Sequence, residues 1–166
     1  MQILKLTALL FLLYGFISLY AGDNGVNFSG TWGFNESKST LGEGPGRRAD
    51  AKLVIKQTVD SMYVERSGTR RSGDTYTYME KLTLDGKSCS NTFMADREKT
   101  SLLQWSADKK SLLINSTMIF QREGNTMEIK VNENWSLSAD GKVLTIDYTS
   151  TSDFGERKAV YCYDQQ

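Results

Sequence analysis

The chain has 166 residues, in which twenty Lys and Arg balance twenty Asp and Glu; a neutral chain lacks the basic surface of a nucleic-acid binder or a polybasic membrane-surface protein. It holds no histidine, one proline and two cysteines, which excludes Ser-His-Asp and Cys-His nucleophiles, imidazole metal sites, proline-rich modules and zinc ribbons. With 39% apolar and 24% charged residues, the composition is that of one globular domain.

Residues 1–21 contain Lys5, an apolar stretch from Leu6 to Tyr20 broken by Thr7, Gly15 and Ser18, and the small residue Ala21. A charged start, a short apolar run and a small residue at the cut describe a secretory signal peptide. A retained anchor is the alternative, for which the run is short and flanked by a single basic residue. The expectation is a secreted or periplasmic protein with one domain over 22–166 and no stable membrane insertion after cleavage.

From Phe28 onward, apolar and polar residues alternate, and helical spacing is hard to find. Ten strands are expected, near 28–35, 51–58, 61–67, 74–84, 88–94, 99–106, 111–122, 126–137, 142–152 and 156–164. The clearest carries Met127, Ile129, Val131, Glu133, Trp135 and Leu137 on one face, against Glu128, Lys130, Asn132, Asn134 and Ser136 on the other. Period two over this length is a strand with a dry face and a wet one. Turn residues such as Asp85-Gly86, Glu123-Gly124-Asn125 and Asp140-Gly141 separate the runs and make short antiparallel hairpins. Trp105-Ser106-Ala107-Asp108-Lys109-Lys110 is echoed by Trp135-Ser136 with Ala139-Asp140-Gly141-Lys142, and more weakly by Leu84-Asp85-Gly86-Lys87. A repeated hairpin fits an all-β, antiparallel up-and-down β-barrel of roughly ten strands, which removes exposed edges; an open two-sheet sandwich is the alternative. Residues 36–50 break the pattern with Gly42, Gly44, Pro45, Gly46, Arg47 and Arg48, a long loop expected either over the barrel mouth or as plain surface.

Phe28-Ser29-Gly30-Thr31-Trp32 carries a Gly-x-Trp, followed by Asn35, Lys38-Ser39, Gly42 and Gly44-Pro45. Together with the Trp-Ser…Asp-Gly-Lys hairpin, these residues resemble the lipocalin superfamily and, within it, small secreted lipocalin-like proteins of bacteria. The resemblance implies a lipocalin-like barrel with Gly30 and Trp32 as the barrel-floor motif. It further implies a basic side chain from the last strand, Arg157 or Lys158, over the tryptophan.

Without histidine, an enzyme would rely on paired carboxylates, a lysine or a thiolate. Alternation turns Glu80 and Glu133 inward, and two inward glutamates could serve a cofactor-free hydrolase or isomerase. The same alternation puts Arg66 on the face of Met62 and Val64. An arginine beside tyrosine hydroxyls in an apolar cup suits a carboxylate on a greasy body. The leading expectation is therefore non-catalytic binding of a small, largely apolar or amphipathic molecule, anionic ones included. Its candidate ligand-binding residues are Arg66, Tyr76, Tyr78, Glu80, Met118, Phe120, Glu133 and Tyr148. The rival is a closed salt bridge from Arg66 to Glu80 or Glu133 inside a filled structural, interaction or inhibitor barrel. No enzyme activity, cofactor or metal is expected, and a monomer is the default. Cys89 and Cys162 are expected to pair, a closure of roughly 4 kcal/mol by the chain-entropy argument, although neighbouring residues turn them to different faces. Four Asn-x-Ser/Thr sequons, at Asn27, Asn35, Asn115 and Asn134, would be decorated only in a eukaryotic host.

Overall fold

The computed structural model describes residues 25–42, 49–70, 72–93, 97–122 and 124–166. The signal-peptide segment 1–21 and the glycine- and arginine-bearing part of the long loop, 43–48, lie outside the described residues. The chain forms the expected ten strands: β1 (Gly30–Phe34), β2 (Lys52–Gln57), β3 (Ser61–Thr69), β4 (Thr75–Thr83), β5 (Cys89–Phe93), β6 (Arg97–Trp105), β7 (Ser111–Arg122), β8 (Asn125–Leu137), β9 (Val143–Ser152) and β10 (Gly155–Gln165). They lie in one antiparallel sheet in the order β4-β3-β2-β1-β10-β9-β8-β7-β6-β5. Every pairing joins chain neighbours except β1 with β10, where Trp32 stands opposite Gln165 and Phe34 opposite Tyr163. The sheet is thus an up-and-down barrel, nearly closed, with β4 and β5 meeting at the remaining seam.

Strict alternation fills the interior. Leu53 and Ile55, Met62 and Val64, Leu112 and Ile114, Leu144 and Ile146, and Tyr161 and Tyr163 are buried on successive strands, and the residues between them are more exposed. One end, the floor, is sealed by the segment that precedes β1. Phe28 is fully buried there, stacked on Trp105 at 6.1 Å between centroids and set edge-on to Trp135 at 6.0 Å. The Trp32 indole N–H donates to the Phe28 carbonyl at 3.0 Å. Apolar area and aromatic geometry both favour this closure.

The repeated sequence turns out to be a repeated floor turn. Ser106 Oγ donates to Asp108 Oδ1 at 2.7 Å, and Asp108 Oδ1 accepts from the Lys110 amide at 3.1 Å. Ser138, Asp140 and Lys142 make the same pair of bonds at 2.6 and 3.1 Å. The residue after each aspartate has positive φ, Lys109 at 54° and Gly141 at 72°, a conformation that glycine adopts without strain. Asp85 repeats the carboxylate-to-amide bond with Lys87 at 3.0 Å, and Thr58 Oγ1 bonds Asp60 at 2.9 Å.

These bonds hold Asp60, Asp85, Asp108 and Asp140 below the usual carboxylate range. Asp164 is held there too, by the Lys38 ammonium and the Asn35 amide. A carboxylate with a depressed folded-state pKa contributes stability above its unfolded value and loses it as pH falls through the folded one. The thermal midpoint is therefore expected to stay level above about pH 5 and to fall below about pH 4. Asp108→Asn with Asp140→Asn should make that fall shallower. An unchanged acid limb in the double variant would show that the turns do not set it.

Two expectations are corrected. Cys89 and Cys162 are both free. Cys89 lies opposite the buried Ser101 and faces inward. Cys162 lies between the inward Tyr161 and Tyr163 and faces outward, where the Ser39 hydroxyl oxygen accepts its backbone N–H at 2.9 Å. The two sulfurs are on opposite faces of the wall, with β6 to β9 between their strands, far beyond disulfide reach. The basic cover over Trp32 is also absent. Arg157 starts β10 at the far end and donates to the Leu41 carbonyl at 2.8 Å, while Lys158 pairs with Glu156 on the outer face at 2.9 Å. Of the long loop, only its start and its last two residues are described, so whether it lies over the mouth falls outside the described residues. Its start forms a short 3-10 turn, Glu36–Lys38, and then runs beside β10 through a bridge between Thr40 and Val160.

Candidate functional site

Arg66 enters the barrel because β3 alternates through Met62 and Val64, and its cross-strand neighbours are Leu53 on β2 and Tyr78 on β4. Each of its three guanidinium nitrogens donates to a carboxylate. Nε donates to Glu80 Oε2 at 2.7 Å, Nη1 to Asp50 Oδ2 at 3.1 Å and Nη2 to Glu133 Oε2 at 2.9 Å. The guanidinium carbon lies 5.4 Å from the centroid of the Trp135 ring, whose indole N–H donates to Glu133 Oε2 at 3.2 Å. Glu80 is held from its other side by Lys99 Nζ at 2.7 Å, and the Tyr76 hydroxyl donates to Asp50 Oδ1 at 2.7 Å. Asp50, Arg66, Glu80, Lys99 and Glu133 are each no more than 4% exposed.

Among the described residues, three carboxylates thus share two cations, and Trp135 and Tyr76 add neutral N–H and O–H donors to Glu133 and Asp50. Burial by itself would lower the pKa of Arg66. Glu133, Glu80, Tyr78 and Asp50 outweigh that and hold it well above the ordinary arginine value. A raised cationic pKa contributes stability below the unfolded value and loses it only as pH rises through the folded one. Arg66 is accordingly charged at every working pH. Taking five charges out of water is costly, and good geometry with filled hydrogen bonds is what offsets that cost.

Arg66, Glu80 and Glu133, expected inward, do meet. Tyr78 stands opposite Arg66 and stacks on Tyr76 at 6.1 Å. Tyr148 stands opposite Glu133 and packs against Tyr161 at 5.4 Å. Met118 is buried opposite Lys99. Phe120 is half-buried, with the Arg97 guanidinium 4.6 Å from its ring centroid. Gly30 and Trp32 sit near the floor, away from the charges. Sequence reading missed Asp50 and Lys99. Lys99 had a signal, since Leu103 and Trp105 fix the inward phase of β6 and counting back in twos reaches Ser101 and Lys99. Asp50 had none, because it precedes β2 in a segment without periodicity.

Little room remains beside the arginine. The cavity bounded by Asp50, Arg66, Glu133, Tyr148, Tyr161 and Tyr163 has about 10 Å³, enough for a single water. A larger, open groove of about 300 Å³ lies on the outer face of β6 to β8, lined by Thr100, Leu102, Asn115, Thr117, Lys130 and Asn132. No family model, curated protein or solved structure matches the chain. Among the described residues, no cluster of three or more His, Cys, Asp or Glu is arranged to hold a metal ion.

Proposed function

We propose that the chain is a non-catalytic, lipocalin-like barrel, secreted or periplasmic, with a filled ionic core, and that it meets its partner on its outer surface. The observation that supports this reading is the Arg66 guanidinium, spent on three carboxylates beside a cavity of about 10 Å³. A ligand carboxylate arriving there would have to displace a buried partner and strand its charge. The hydrolase reading fares worse. Glu80 and Glu133 both accept from the same arginine, and an acid–base pair needs substrate-sized space between its members.

One observation favours a second reading, a shallow ligand cup at the end opposite the floor. Several inward residues toward that end, Tyr76, Tyr78, Phe120 and Ile129, are only half-buried, whereas Phe28, Trp32 and Trp135 at the floor are sealed. Native mass spectrometry of the purified protein, with titration of a fluorescent fatty acid and its alcohol analogue, separates the two. The filled barrel predicts no co-purified small molecule and no saturable binding of either probe. Stoichiometric binding of the acid, weakened by about 1.5–3 kcal/mol in Arg66→Met while the alcohol is spared, would establish the cup instead.

A further inference from the structure

Among the described residues, nine of the ten junctions around the barrel are backbone ladders, and β4 and β5 have none. The reason lies in the facing of their side chains. An ordinary antiparallel rung places both side chains on one face. At the seam Lys81 points outward, while Asn91, opposite the buried Lys99 on β6, belongs to the inward set. The Asn91 side-chain amide replaces the missing peptide. Its Oδ1 accepts the Lys81 backbone N–H at 2.7 Å, and its Nδ2 donates to the Lys81 carbonyl at 2.9 Å. Lys99, the cross-strand neighbour of Asn91, reaches over the same seam to Glu80. Lower down, Thr83 Oγ1 donates to the Lys87 carbonyl at 3.1 Å. Two adjacent side chains, Asn91 and Lys99, therefore carry the closure that backbone ladders carry elsewhere.

We propose that the β4–β5 seam is a lateral gate, latched by Asn91 and Lys99, through which the barrel interior opens to solvent without global unfolding. This goes beyond the reading of a filled barrel and holds whichever partner the outer surface meets. Segments held by few backbone bonds open locally well before the whole domain does. The floor offers no such route, since Phe28 and the tryptophans seal it. Opening at the seam would wet Glu80 and the far side of Lys99 first, and it would fully expose Cys89, which faces inward on β5 and is only half-buried when the seam is shut.

Cys89 is the built-in reporter. In the mature protein carrying Cys162→Ser, maleimide labelling of Cys89 is expected to run faster than global unfolding. Asn91→Ala should raise the labelling rate about tenfold, the scale of one net hydrogen bond, and Lys99→Met should raise it as well. Amide exchange in the β7–β8 ladder should stay unchanged in Asn91→Ala. Equal labelling in wild type and Asn91→Ala would overturn the gate, because a statically exposed thiol does not depend on the latch. Labelling at the global unfolding rate in all variants would overturn it too. If Lys99→Met fails to fold, Asn91→Ala alone decides.

Discussion

Arg66→Met is expected to lower the thermal midpoint by roughly 10–15 °C, the equivalent of about 3–5 kcal/mol in a domain of this size. The substitution keeps most of the side-chain volume and removes the charge that Asp50, Glu80 and Glu133 share. Lys99 still reaches Glu80, but Asp50 and Glu133 lose their shared arginine, and the neutral donors Tyr76 and Trp135 do not replace its charge. Arg66→Lys should recover little, because one ammonium cannot reach three carboxylates in the fork that a guanidinium presents. The sign of the pH response tests the cause. Buried carboxylates deprived of their cation favour protonation in the folded state, so the gap between Arg66→Met and wild type should narrow towards about pH 5. A gap independent of pH would point to lost packing. A loss of under about 1 kcal/mol would mean that the ion cluster is not what holds the middle of the barrel together.

Phe28→Ala is expected to cost a similar amount, about 3–5 kcal/mol, for a different reason. Phe28 makes no charged contact. It is a fully buried ring between Trp105 and Trp135, and its carbonyl accepts the Trp32 indole N–H. Removing the ring leaves a cavity at the floor and loosens the segment that carries it. All three tryptophans of the chain lie there, so the measurement is direct. Intrinsic fluorescence should shift to the red in Phe28→Ala, whose ring packs on Trp105 and Trp135, whereas any change in folded Arg66→Met should be confined to Trp135, the ring that the guanidinium faces. A thermal midpoint within a few degrees of wild type would show that the preceding segment is not a structural plug.

How much of this was written in the sequence depended on periodicity. Each strand announced itself by alternation, because a wall with one dry face imposes a period of two on every element. The same rule placed Arg66, Glu80 and Glu133 inside, since a charge at an inward position keeps its phase whatever its chemistry. What alternation could not supply was partnership. It left the arginine open to a ligand or to its own carboxylates, and the choice turned on Asp50, in a segment with no period, and on Lys99, two strands away across a seam. The disulfide expectation failed where it overrode the same rule. Tyr161 and Tyr163 had already turned Cys162 outward, and pairing two cysteines because they are two ignored that. The repeated Trp-Ser…Asp motif proved local in meaning, a turn used again with its aspartate cap, so it spoke of hairpins and not of a ligand.

The single long-range pairing, β1 with β10, governs the order in which the molecule can assemble. Every other junction joins neighbours in the chain, so hairpins from β2 through β9 can zip as soon as each is synthesised, with small closure costs. Trp32 must wait for Gln165 and Phe34 for Tyr163, partners more than a hundred residues downstream. Until those last residues are available, β1 has β2 on one side and an open edge on the other. An incomplete chain therefore carries a templating edge beside an unsealed apolar interior, and the final strand works as the stopper that ends its exposure to aggregation.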